Sequence, residues 1–104
     1  MRTEPKNFEE AVEIIMKEST GMLVKKGKDY GRDNINIFGL QGVVVRLSDK
    51  IMRLKQFLFG NHTYSYESLD DTIDDTIGYA ILAKMQSLKT ADGDVWYNLP
   101  FRKD

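Results

Sequence analysis

The chain has no cysteine, which excludes a disulfide framework, a zinc ribbon and thiol catalysis. It has one histidine, His62, so a multi-histidine metal centre is excluded too. Any metal would be a hard ion held by oxygen, such as Mg²⁺ or Mn²⁺. No apolar run approaches the ~18 residues of a membrane span, and the N-terminal MRTEPKNFEE lacks the apolar stretch of a signal peptide. The expectation is a soluble, cytoplasmic protein with no membrane partner. Charge of one sign is missing as well: fifteen Lys and Arg against sixteen Asp and Glu leave a net −1. Nothing in that balance attracts the chain as a whole to DNA or RNA, so no direct nucleic-acid partner is expected.

Proline is confined to Pro5 and Pro100, and the long middle between them is free to be helical. With 104 residues the chain reads as one domain, residues 1–104, with a modest core. Homo-oligomerisation would supply the rest.

Three long helices are predicted. Asn7 followed by Glu10 looks like an N-cap and its partner, and Phe8, Val12, Ile15, Ser19 and Met22 recur at helical spacing, giving a helix over about 7–26 with room to extend to Tyr30. GRDNINIFG reads as a connecting loop. Leu40, Val44, Leu47, Ile51, Leu54 and Leu58 form a bundle seam over 40–59, the cleanest pattern in the chain. Ser65 or Ser68 caps a third helix over 65–88, with Leu69, Ile73, Ile77 and Ala80 as its core stripe. The fold class is therefore all-α, an antiparallel bundle with a short aromatic tail, VWYNLPFRKD, whose Trp96, Tyr97 and Phe101 read as packing anchors.

Five carboxylates, Glu67, Asp70, Asp71, Asp74 and Asp75, crowd the start of the third helix. Like charges at this spacing repel by roughly a few tenths of a kcal/mol each, so cations are needed nearby. Glu67, Asp71 and Asp75 lie on a stripe that continues into Gly78, Tyr79 and Leu82, which points it toward buried surface; Asp70 and Asp74 read as salt-bridge or capping residues. The second helix supplies the complement in RLSDKIMR, where Arg46, Asp49, Lys50 and Arg53 share a stripe beside the apolar seam. Clustered carboxylates facing guanidinium and ammonium groups suit a phosphate–metal site. They equally suit an interhelical salt-bridge network without a ligand, and spacing alone does not separate the two. In KKGKDYG, Lys28 is a candidate phosphate contact and Tyr30 a candidate base-stacking ring, against the plainer reading of a helix terminus. His62, in the polar GNHT turn, reads as an exposed residue.

KDYG, RLSDKIMRL and ESLDDTIDDTIGYAI, in this order and spacing, resemble the phage and bacterial nucleotide-modification-associated domain over about residues 25–85. That family is similar to the MazG-like all-α nucleoside triphosphate pyrophosphohydrolases. The resemblance implies nucleotide handling, with Asp49, Glu67, Asp71 and Asp75 as ligands of Mg²⁺ or Mn²⁺, and Asp49, Glu67 and Asp71 as catalytic groups that place the attacking water. Lys28, Arg46, Lys50 and Arg53 would contact phosphates. One departure is visible: MazG-like enzymes carry Glu-x-x-Glu on the earlier helix, whereas this chain has Arg46 and Asp49. A metal ligand is replaced by a cation, which weighs on hydrolysis more than on binding. Two functions follow as expectations, a Mg²⁺-dependent nucleoside triphosphate pyrophosphohydrolase and a non-catalytic nucleotide binder, with a purely structural bundle as the third reading.

Overall fold

A computed structural model of the chain describes residues 4–60 and 63–103, and His62 lies outside them. Its elements are α1 (Phe8–Tyr30), a four-residue α2 (Asp33–Asn36), α3 (Gly39–Phe59), α4 (Tyr66–Ser87) and a 3₁₀ turn, η1 (Trp96–Asn98). The all-α class and the three long helices agree with the sequence reading. None of the described helices is long and apolar enough to cross a membrane. The chain divides into two compact units, Met1–Gly31 and Arg32–Asp104.

The first unit is α1. Asn7 caps it as the sequence predicts, its Oδ1 accepting from the Glu10 N–H at 2.8 Å. The helix runs to Tyr30, the far end of the expected range, helped by an i,i+4 ion pair between Lys25 Nζ and Asp29 Oδ2 at 2.8 Å. It ends at Gly31, whose φ of 74° and ψ of −174° form a conformation almost restricted to glycine, and whose N–H donates to the Gly27 carbonyl.

The second unit is an antiparallel hairpin of α3 and α4, with α2 packed on α3 and η1 on α4. Ser65 caps α4, its Oγ accepting from the Ser68 N–H at 3.1 Å. After α4 the chain folds back through a single antiparallel bridge between Lys89 and Val95. This brings Tyr97 inward, where it is buried. The reading of GRDNINIFG as plain loop needs amending, because its centre is the short helix α2.

The helices meet along lines other than the predicted ones. On α3 the covered residues are Val43, Leu47, Lys50, Leu54 and Phe57, whereas Leu40, Val44, Ile51 and Leu58 of the predicted seam are exposed. On α4 the covered line is Ser68, Thr72, Asp75, Tyr79, Leu82 and Gln86; of the predicted core stripe, Leu69 and Ile77 are half-buried and Ile73 and Ala80 exposed. The reason lies in α4. Its buried positions are small, Thr72 and Gly78, which lets a second helix approach closely. Asp75 on the same line requires a cation opposite it. Lys50 meets that requirement, and turning Lys50 inward carries the neighbouring apolar seam outward. Val43, only 1 % exposed, is the best-buried side chain of the unit. Thr72, also buried, satisfies its hydroxyl within the helix by donating to the Ser68 carbonyl at 2.8 Å.

Candidate functional site

The RLSDKIMR segment occupies the middle of α3, and its charged side chains meet different partners. Lys50 lies on the covered line, with Nζ 3.2 Å from Asp75 Oδ2 and both side chains no more than a third exposed. Arg46, half-buried one turn earlier, donates from Nη2 to Asn34 Oδ1 of α2 at 3.1 Å. Arg53, one turn later, is exposed, with its guanidinium 5.7 Å from the centre of the Phe57 ring. That ring packs in turn on Tyr64, centroid to centroid 5.4 Å. Asp49 is exposed. Three of the four expected charges thus form a cationic row along α3 that rises about 1.5 Å per residue, and only its centre is paired to a carboxylate of α4.

The acidic run divides differently from the sequence reading. Asp75 is half-buried and paired, Asp70 and Asp74 are also half-buried, and Glu67 and Asp71 are exposed. Geometry explains it: positions i, i+4 and i+8 drift through about 80° of arc, so Glu67 and Asp75 cannot share one environment. The covered line follows i, i+4, i+7 instead, and Asp75 alone of the three belongs to it. Among the described residues no group of three or more Asp, Glu or His side chains is placed to hold a metal ion. Asp49, Glu67, Asp71 and Asp75 do not form such a group. Lys28 and Tyr30 belong to the other unit, where Tyr30 is exposed at the end of α1.

Sequence reasoning passed over the surroundings of Arg46. Arg32 precedes α2, and its guanidinium lies over the Phe101 ring at 4.1 Å from the centroid. Asn36 of α2 donates from Nδ2 to Asn98 Oδ1 at 2.7 Å and accepts on Oδ1 from Gln86 Nε2 at 3.0 Å, which ties α2 to η1 and α4. Tyr97, the chain neighbour of Asn98, is buried. Burial pushes its phenol pKa up, while the positive charges of Arg32 and Arg46 act on it in the opposite direction. The available signal was the asparagine-rich RDNIN itself: asparagines spaced along a short polar segment are well suited to fix neighbouring side chains by hydrogen bonds. Comparison of the chain with protein-family models, curated proteins and solved structures finds no match.

Proposed function

We propose that this chain binds a nucleotide through its phosphates along the cationic row of α3, with Arg46, Lys50 and Arg53 as the contacting groups. The observation that carries the reading is the placement of Arg46 and Lys50. Both sit half-buried on the packed side of α3, where apolar residues would be cheaper, and only Lys50 has a carboxylate partner there among the described residues. Cations held at low solvent exposure bind phosphate more strongly than the same groups in open water. The resemblance to nucleotide-handling families supports the same ligand class. Direct contacts from guanidinium and ammonium groups to phosphate need no resident metal.

Calorimetric titration of the purified protein with nucleoside triphosphates, in EDTA and then in Mg²⁺, tests this. Binding in EDTA that is absent for the bare nucleoside and lost in Arg53→Ala is the expected result. Release of pyrophosphate on adding Mg²⁺ would return the pyrophosphohydrolase to first place, and no binding of any nucleotide would remove both.

A second copy of the chain is the proposed partner. Leu40, Val44, Ile51 and Leu58, all between 41 % and 57 % exposed, make a straight apolar stripe along α3. Val43 and Tyr97 are the only buried apolar residues described. A stripe of this kind pairs with itself about a two-fold axis, each copy covering the other's seam at bundle spacing. A dimer by light scattering that becomes monomeric in Val44→Glu is expected, and a wild-type monomer at high concentration overturns the proposal.

A further inference from the structure

The α3–α4 hairpin has two unlike sides, and the covered lines of its helices fix which residues belong to each. Counted at about 100° per residue from the line that meets α4, Leu40, Val44, Ile51 and Leu58 lie round α3 in one sense, and Arg46, Asp49 and Arg53 in the other. α4 divides in the same way. From its own covered line, Leu69, Ile73 and Ala80 lie round the helix in the first sense, and Glu67, Asp71 and Asp74 in the second, all within about 60–140° of that line. Because the helices run antiparallel, the same sense on each leads to the same side of the hairpin. One side is thus apolar across both helices, and the other is charged across both.

The apolar side is open. Leu40, Val44, Ile51 and Leu58 on α3 and Ile73 and Ala80 on α4 are exposed, and Leu69 is half-buried. The area available decides how a second copy can use it. A stripe one helix wide along the 21 residues of α3 measures roughly 30 Å by 10 Å, so two copies meeting on it alone would bury on the order of 600 Å², less than a stable interface needs. Taking in α4 doubles this to about 1,200 Å², which reaches the standard range. Covering the charged side instead would desolvate guanidinium and carboxylate groups.

We infer that the second copy docks its own α3–α4 hairpin on the apolar side of this one, as a four-helix bundle in which Leu69, Ile73 and Ala80 of α4 are interface residues beside the α3 stripe. The inference rests on the second-copy reading and extends that interface from one helix to two. In the assembly the side that bears Arg46 and Arg53 faces outward on both copies.

Sedimentation equilibrium over a wide concentration range tests it with the full-length wild type, Val44→Glu, Ile73→Glu and Ile73→Ala, and with Asp71→Ala from the charged side. Ile73→Glu is expected to be monomeric where the wild type is a dimer. Ile73→Ala, which buries no charge, is expected to raise the dimer dissociation constant by about tenfold or more, because a two-fold axis loses the side chain twice. Asp71→Ala is expected to leave the constant unchanged, and unchanged far-UV circular dichroism of each variant shows that the fold is intact. If Val44→Glu is monomeric while both changes at Ile73 leave the wild-type constant, the part of α4 is refuted and the second-copy reading stands. A wild-type dimer that neither glutamate dissociates refutes both. A wild type that stays monomeric throughout refutes both as well, and the apolar side is then covered by something other than a second copy.

Discussion

Lys50 Nζ and Asp75 Oδ2 lie 3.2 Å apart across the meeting line of α3 and α4, at matching distances from the connection between the helices. The pair therefore acts as a register pin for the hairpin. It is more enclosed than a surface ion pair and less than a core one, so breaking it should cost about 1–2 kcal/mol, between the ranges for those two cases. Lys50→Met and Asp75→Asn are each expected to lose that much in urea unfolding. The double variant should lose less than the sum, because each single change strands the other charge.

Val43 and Ile51 belong to different sides of α3, and truncation separates them. Val43→Ala removes two buried methyl groups from a side chain 1 % exposed, for an expected loss of about 2 kcal/mol. This loss should be the same at every protein concentration. Ile51, 41 % exposed, should lose little when truncated in dilute solution and more as concentration rises, if a second copy covers it. Thermal midpoints of both variants over a wide concentration range check this.

Gly31 ends α1 in a conformation that side chains avoid. Gly31→Ala is expected to destabilise that terminus by about 1–3 kcal/mol. The effect should appear as faster amide exchange over the last turns of α1, while exchange in α3 and α4 is unchanged.

Tyr97 makes stability depend on pH at the alkaline end. Its folded-state pKa is raised above the ordinary phenol value of 10.0, with burial as the first cause. Below about pH 10 the phenol is protonated in both folded and unfolded chains, and its full contribution is present. As pH rises beyond that, the unfolded chain ionises first, so stability falls through the interval up to the folded pKa. Tyr97→Phe should remove this part of the alkaline decline in urea midpoints. Arg32→Gln should push the Tyr97 titration, followed by phenolate absorbance, further upward, because a charge that lowers the pKa is gone.

The sequence by itself determined the class and the elements. Helical periodicity, the Asn7 and Ser65 caps and the absence of internal proline are local properties, and they fix three long helices whatever packs against them. Of the facing of RLSDKIMR and the acidic run that it suggested, the pair of Lys50 with Asp75 is formed. The tertiary structure decided which faces meet. α3 carries two overlapping apolar stripes that share Leu47 and Leu54, and periodicity favours the more apolar one. The small residues of α4 and the need of Asp75 for a cation select the other. That choice turned Lys50 inward, left Leu40, Val44, Ile51 and Leu58 uncovered, and left Glu67 and Asp71 exposed. The surroundings of Arg46 were beyond sequence reasoning for the same reason. Arg46 reaches Asn34 across the turn between α2 and α3, and the tail returns through Asn98 onto Asn36, contacts that helical periodicity does not encode.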